Sequence, residues 1–373
     1  MNIGFDAKRV FHNRTGLGNY SRDLIRILST QYPHHKYFLY TPKSRPKPLF
    51  DATHLGVEMR LPTGKFYKYF YNIWRQFGIP EELKKDGIDL YHGLTAELPV
   101  GIQRTKIPTV VTVHDLIFIR YPEFYKPIDR LIYRNKTLRA AKEADVVIAI
   151  SEQTRQDLIH FLAIDPSKIQ VIYQGCQQVF QQPMDEESRR NIMARFNLPE
   201  SYVLNVGTIE KRKNLLSLVK AIANLDTHLV VVGGETPYTK EVKNFIFENG
   251  MEKKVSFLRG LSGLELAALY RSARVFVYPS LFEGFGIPIV EALFSGTPVI
   301  TTQGGCFAEA GGTGSKYVDP LNIDELESAI ASVLNNDSLH QSMIKEGLEH
   351  AKLFTDDNIG KNYMRIYQQL AGK

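Results

Sequence analysis

The sequence predicts an α/β protein of two doubly wound, Rossmann-like domains facing a cleft. Three observations carry this. Short β-rich runs alternate with helical patterns, and the alternation occurs twice along the chain. The chain has 373 residues, 43% of them hydrophobic and 23% charged, enough for two cores of ordinary size. Runs such as Thr109 to Val113 and Val146 to Ile150 have the near-continuous apolar character of strands buried in parallel sheets.

In the first half, Asn2 to Phe5 reads as a strand. Thr15-Gly16-Leu17-Gly18-Asn19-Tyr20 then opens a helix with apolar residues at Leu24, Ile25, Ile27 and Leu28. Gly16 and Gly18 allow a backbone to come close to a ligand, or simply make a turn. Ser21 stands where a dinucleotide fingerprint has its third glycine, and no acidic residue follows about 20 residues on, so NAD binding is disfavoured. Tyr37 to Tyr40 is a strand and Pro42 to Pro48 a loop. Lys65 to Arg75 is basic and aromatic and holds the only Trp. As a helix it either lies on an anionic membrane with its rings at the interface or packs on its own domain. Asp89 to His92 and Thr109 to Val113 are strands, and the second runs into His114-Asp115. A histidine at a strand's C-terminal end is placed for a cleft, or for a structural role in the turn. Val146 to Ile150 is a strand, after which Ser151 caps a helix.

Asp185 to Phe196 is a helix before the second domain. The strand Tyr202 to Val206 leads into Gly207-Thr208-Ile209-Glu210-Lys211-Arg212-Lys213-Asn214 and then a helix. Three consecutive cations at a helix N-terminus oppose the macrodipole unless an anion is bound there. They are a solvated loop or, given the strand end, a diphosphate site. Leu229 to Val232 and Val255 to Leu258 are strands, and Leu264 to Tyr270 is helical. The stretch Phe282 to Ile300, FEGFGIPIVEALFSGTPVI, is a glycine turn, a helix and a strand, following the strand Val275 to Tyr278. Its helix N-terminus at Phe285-Gly286-Ile287 favours phosphate. Glu283 and Glu291 either accept hydrogen bonds from sugar or ribose hydroxyls, or cap the turn and complement the helix dipole. Gly304 to Gly312 is a glycine-rich loop carrying Glu309. Helices follow from Asp324 to Leu334, Leu339 to Phe354 and Thr355 to Leu370.

Composition bounds the function. A net charge of +6 suits anionic ligands without requiring nucleic acid. The two cysteines, Cys176 and Cys306, form no C-x-x-C pair, which leaves a zinc ribbon unsupported and points to a reducing cytosol. The N-terminus shows no signal-peptide pattern. No apolar run reaches the roughly 18 residues needed to span a bilayer.

E-G-F-G-I-P, a second Glu eight residues after the first, and S-G-T-P-V-I together resemble the nucleotide-sugar motif of glycosyltransferase family 4. These are retaining enzymes of the GT-B fold. The resemblance implies an acceptor-side domain of residues 1–175, completed by a C-terminal helix within 356–373 that crosses back to it. It implies a nucleotide-sugar-binding domain of residues 176–355. Gly207 followed by Arg212-Lys213-Asn214 matches the family's phosphate-binding pattern, although Thr208 stands where some members have Arg. Gln174-Gly175-Cys176-Gln177 replaces the usual interdomain N-G-V-D. By the same resemblance Gly16 faces the donor diphosphate, His114 contacts the transferred sugar, Glu283 positions the sugar and Glu291 the ribose. Glu309 matches a further family position, and the region of Arg259-Gly260 neighbours the base.

The expected activity is transfer of a hexose to a hydroxyl of a glycan or lipid-linked acceptor, in bacterial surface polysaccharide synthesis. GDP-mannose is the first donor choice, from the likeness of HDLIFIRYPEFY and VGTIEKRKN to mannosyltransferases; UDP-glucose, UDP-galactose and UDP-N-acetylglucosamine stay open. The cations would make a metal unnecessary, and no cofactor is expected. The expected setting is cytoplasmic, with peripheral contact at the inner membrane face. Two other readings stand beside it: a non-catalytic sugar-nucleotide-binding scaffold and a GT-B sugar-nucleotide epimerase. A phosphorylase would need a pyridoxal-binding lysine, which no motif indicates.

Overall fold

Strands that are apolar on both faces need cover on both, and parallel sheets flanked by helices provide it. The computed structural model describes residues 1–44, 49–50 and 56–372. Residues 45–48 of the expected proline-rich loop lie outside the described residues. The chain divides into one unit of Met1–Gly175 with Asp356–Lys373 and a second of Cys176–Thr355.

The first unit carries β1 (Asn2–Asp6), β2 (Lys36–Tyr40), β3 (Val57–Arg60), β4 (Leu90–Gly93), β5 (Thr109–Val113), β6 (Val146–Ala149) and β7 (Ile169–Val171). They form one parallel sheet in the order β3-β2-β1-β4-β5-β6-β7. The second carries β8 (Val203–Val206), β9 (Leu229–Val232), β10 (Val255–Leu258), β11 (Val275–Tyr278), β12 (Val299–Thr302) and β13 (Lys316–Val318), ordered β10-β9-β8-β11-β12-β13. Each sheet reverses its winding once, between β1 and β4 and between β8 and β11. Such a reversal leaves a crevice at the strands' C-terminal ends.

The helix Gly16–Gln31 packs against the terminal helix Asp356–Ala371, which belongs to the first unit. A Cβ on Gly360 would collide with the Gln31 side chain, so glycine lets the two backbones approach. Arg26 pairs with Asp356 at 2.7 Å. Tyr20 meets Tyr363 at 2.8 Å and Thr112 at 2.9 Å, while His92 joins Thr112 at 2.8 Å to Tyr367 at 2.6 Å. These buried polar groups satisfy one another beneath the sheet.

The Lys65 to Arg75 segment departs from a single amphipathic helix. Two short helices, Lys65–Tyr69 and Tyr71–Ile73, precede a π-helical turn, Trp74–Gly78. The turn rotates Trp74 inward, where it is fully buried and donates to Glu82 at 2.8 Å. A Cβ on Gly78 would clash with its ring. Arg75 pairs with Asp6 and Glu97, both at 2.5 Å. Trp74 and Arg75 are therefore excluded from any membrane face, while Phe66, Tyr69, Phe70 and Ile73 stay exposed. Among the described residues no helix is long and apolar enough to cross a membrane.

The glycine-rich stretch from Gly304 to Gly312 is also not a loop throughout. Its glycines bracket a helix, Cys306–Gly311, and Gly304, Gly305 and Gly312 take positive φ of 81, 57 and 62° at its two ends. The capping box of Ser262 and Glu265 starts the helix Gly263–Ser272.

Candidate active site

The second unit's site lies where β8 and β11 run side by side and their connections leave in opposite directions. After β8, Gly207 has a φ of +149°, and its carbonyl occupies the space a side chain on Gly233 would need. Lys211–Lys213 then forms a 3-10 turn. Asn214 follows in the left-handed region at φ 56°, a conformation asparagine tolerates. Its side chain donates to the Pro320 carbonyl at 2.7 Å and accepts from the Ser217 hydroxyl at 2.8 Å. This turn directs Arg212 and Lys213 toward the end of β11.

There they meet Glu283. Its Oε1 accepts from Lys213 Nζ at 2.5 Å, Arg212 at 2.7 Å, the Ser280 hydroxyl at 2.5 Å and the Tyr278 hydroxyl at 3.0 Å. Lys213 also donates to the Tyr278 hydroxyl, and Arg212 reaches Glu210 at 2.6 Å. The three cations that oppose the helix dipole in the sequence thus have an internal counter-anion for two of their number, while Lys211 is exposed. Burial alone would push the Glu283 carboxyl up, but Lys213 and Arg212 overcome it and hold the group at about 2. Burial pulls the Lys213 ammonium below its ordinary value against the opposing pull of Glu283. Among the described residues all four of these donors converge on Oε1.

The helix Ile287–Phe294 opens at Gly286, whose φ of +127° suits glycine. The Phe285 side chain is core, edge-on to Phe354 at 5.6 Å, so Phe285 can serve a ligand only through its backbone. Glu291 is 8% exposed and accepts from the Tyr270 hydroxyl at 3.1 Å. Burial pushes its carboxyl up to about 8. Largely uncharged at neutral pH, it is no complement to the helix dipole.

In the first unit, Gly16 is the first residue of its helix, and a Cβ there would meet open space. A Cβ on Gly18 would collide with the Asn13 carbonyl, so packing already accounts for that glycine. His114 follows β5 with both ring nitrogens engaged, one by the Leu94 carbonyl at 2.9 Å and one by the Gln174 side chain at 3.0 Å. Burial holds its imidazole down at about 4.

The sheet end of the second unit therefore brings Arg212, Lys213 and Glu283 together, with Glu291 on the following helix; Gly16 and His114 belong to the other unit. Glu210, Tyr278 and Ser280 escaped sequence reasoning. The one available signal was that Tyr278 ends a strand immediately before the glutamate-glycine turn.

Two doubly wound units, one presenting paired cations and a carboxylate at its switch point, define a two-domain α/β architecture. Residues 14–177 match the family described as Glycosyltransferase Family 4, and residues 188–350 the one described as Glycosyl transferases group 1. The chain belongs to this family of glycosyltransferases, and its fold is GT-B. It is 28% identical to O-antigen chain mannosyltransferase B of Escherichia coli, over 99% of this chain and all of that protein. It is 30% identical to O-antigen chain mannosyltransferase RfbU of Salmonella typhimurium, over 60% of each chain. Sucrose-phosphate synthase from Thermosynechococcus elongatus shares the fold at a TM-score of 0.80 and 22% identity, over 100% of this chain and 99% of that one. Anabaena HepE, solved with UDP and glucose, does so at 0.78 and 19%, over 99% and 100%.

Proposed function

We propose that this protein is a retaining glycosyltransferase that moves mannose from GDP-mannose to a hydroxyl of a glycan or lipid-linked acceptor in bacterial surface polysaccharide synthesis. The observation that carries the reading is the Arg212–Glu283–Lys213 cluster at the second switch point. A departing nucleoside diphosphate gains negative charge as the glycosidic bond breaks, and fixed cations already in place stabilise that charge without reorganising. The backbone at Phe285 to Ile287, at a helix N-terminus, adds to this. Glu283 takes a sugar hydroxyl and Glu291 the ribose. The cations make the reaction metal-independent. The mannose assignment is supported by the two O-antigen mannosyltransferase relatives.

The protein acts in the cytoplasm and touches the membrane peripherally. Support comes from exposed apolar side chains beside cations, at Phe66, Tyr69 and Phe70 with Lys65 and Lys68, and at Ile128, Leu131 and Ile132 with Lys126 and Arg134.

The test is calorimetric titration with GDP, UDP, ADP, GDP-mannose and UDP-hexoses, each with and without EDTA. It is followed by turnover with mannose-terminated acceptors and determination of the product's anomeric configuration. Tight GDP binding unaffected by EDTA and an α-linked product are expected. Product formed without acceptor would replace this reading with an epimerase, and binding without turnover with a scaffold.

A further inference from the structure

His114 is held in one protonation state by two partners of opposite kind. Its Nε2 lies 2.9 Å from the Leu94 carbonyl oxygen, which can only accept, so Nε2 carries the hydrogen. Its Nδ1 lies 3.0 Å from the Gln174 side-chain nitrogen, which can only donate, so Nδ1 presents its lone pair. The neutral Nε2-protonated imidazole satisfies both. Tyr20 clamps the ring edge-on, with centroids 4.6 Å apart and planes at 83°, and Tyr20 is itself fixed by Thr112 and Tyr363. Gln174 is 4% exposed, and it stands two residues before the second unit begins.

We propose that Gln174 is a positioning residue for the transfer, acting by holding the neutral His114 ring in that single tautomer and orientation. This rests on the reading of His114 as a contact of the transferred sugar. In glycosyl transfer the sugar gathers positive charge as the leaving group departs. An imidazolium beside it would oppose that charge, and a neutral ring does not. A glutamine supplies the donor that a neutral ring needs; a carboxylate in its place would demand a hydrogen on Nδ1 and make the ring a cation. The charged groups around the ring do not settle its state by themselves. Arg9 disfavours protonation, and Asp115, Glu97 and Lys136 line the same cavity with mixed sign. His92, the other histidine nearby, is held neutral by burial.

The experiment compares full-length wild type with Gln174→Glu and Gln174→Met. It reads the His114 ring by nitrogen-detected NMR against pH, donor affinity by calorimetry, and kcat. In wild type the ring should show Nε2 protonated and Nδ1 bare from pH 5 to 8. Gln174→Glu should raise the midpoint of the His114 titration by about 1–3 pH units, as expected for an adjacent opposite charge. It should lower kcat at least tenfold while leaving GDP affinity unchanged. Gln174→Met, which removes the donor without adding charge, should leave the ring neutral and lower kcat less. Should Gln174→Glu leave the His114 titration in place, or move it without changing kcat, the proposal is overturned while the transferase reading stands. If wild type binds nucleotide and transfers nothing, both fall together.

Discussion

Replacing Glu283 by Gln keeps the shape of the side chain and removes the charge on which Arg212 and Lys213 converge. The Glu283 carboxyl is held at about 2 against an ordinary 4.5. At about 1.4 kcal/mol for each pH unit of difference, this corresponds to ~3 kcal/mol of folding stability at pH 7. The side chain is 12% exposed and its partners 15–16%, so solvent screening takes little of it. The sign follows from the depressed value. The contribution is fully present above about pH 4.5 and is lost as pH falls toward 2, with about half remaining at pH 3. Urea unfolding of wild type and Glu283→Gln at pH 7 and pH 3 checks this. Trp74, the only tryptophan, lies in the first unit, so its fluorescence reports that unit. Far-ultraviolet circular dichroism reports both. The expected outcome is a loss of ~3 kcal/mol at pH 7 in the dichroism transition assigned to the second unit, shrinking to about half at pH 3. A gap of the same size at both pH values would refute the claim that the carboxylate's charge binds this cluster together.

Lys213→Ala should raise the KM for donor and lower kcat, with a total loss in kcat/KM of about 100–1,000-fold, measured in steady-state assays; unchanged kinetics would remove Lys213 from the site. Gly16→Ala and Gly18→Ala should separate. The first should fold with unchanged Tm and bind nucleotide sugar more weakly, and the second should lose about 1–3 kcal/mol of stability as the new methyl meets the Asn13 carbonyl. Equal thermal stability of the two would contradict the packing account. Glu291→Gln should flatten the pH dependence of stability at the alkaline side. The raised carboxyl favours folding fully below about 4.5, and this is lost as pH rises through about 8. Thermal melts at pH 5 and pH 8.5 with the same slope in both proteins would count against a buried neutral carboxyl.

Much of the architecture was legible from local pattern. Strand and helix periodicities are written in neighbouring residues, and caps such as Ser151, which accepts from the Thr154 N–H at 3.0 Å, announce helix starts. The glycine turn, the two glutamates and the Arg212-Lys213 pair are likewise contiguous motifs, readable without knowing what surrounds them. The long helix Pro127–Glu143 was not legible, because apolar Ile128, Leu131 and Ile132 lie exposed and blur any buried stripe. Lys65 to Arg75 left two readings open for a related reason. Its composition suits a membrane, and only a π-helical turn and the Asp6–Arg75–Glu97 ion pairs decide which residues face inward.

The sequence by itself determined the kind of protein this is: two wound α/β units with glycine turns and a paired-cation motif placed after particular strands. Only the tertiary structure decided how those groups are charged and occupied. Arg212 and Lys213 are separated from Glu283 by about seventy positions in the chain. Their ion pairs, the neutral Glu291 and the doubly bonded His114 arise from burial and from neighbours that the fold supplies. Desolvation and charge pairing act through space, and a linear sequence does not carry those distances.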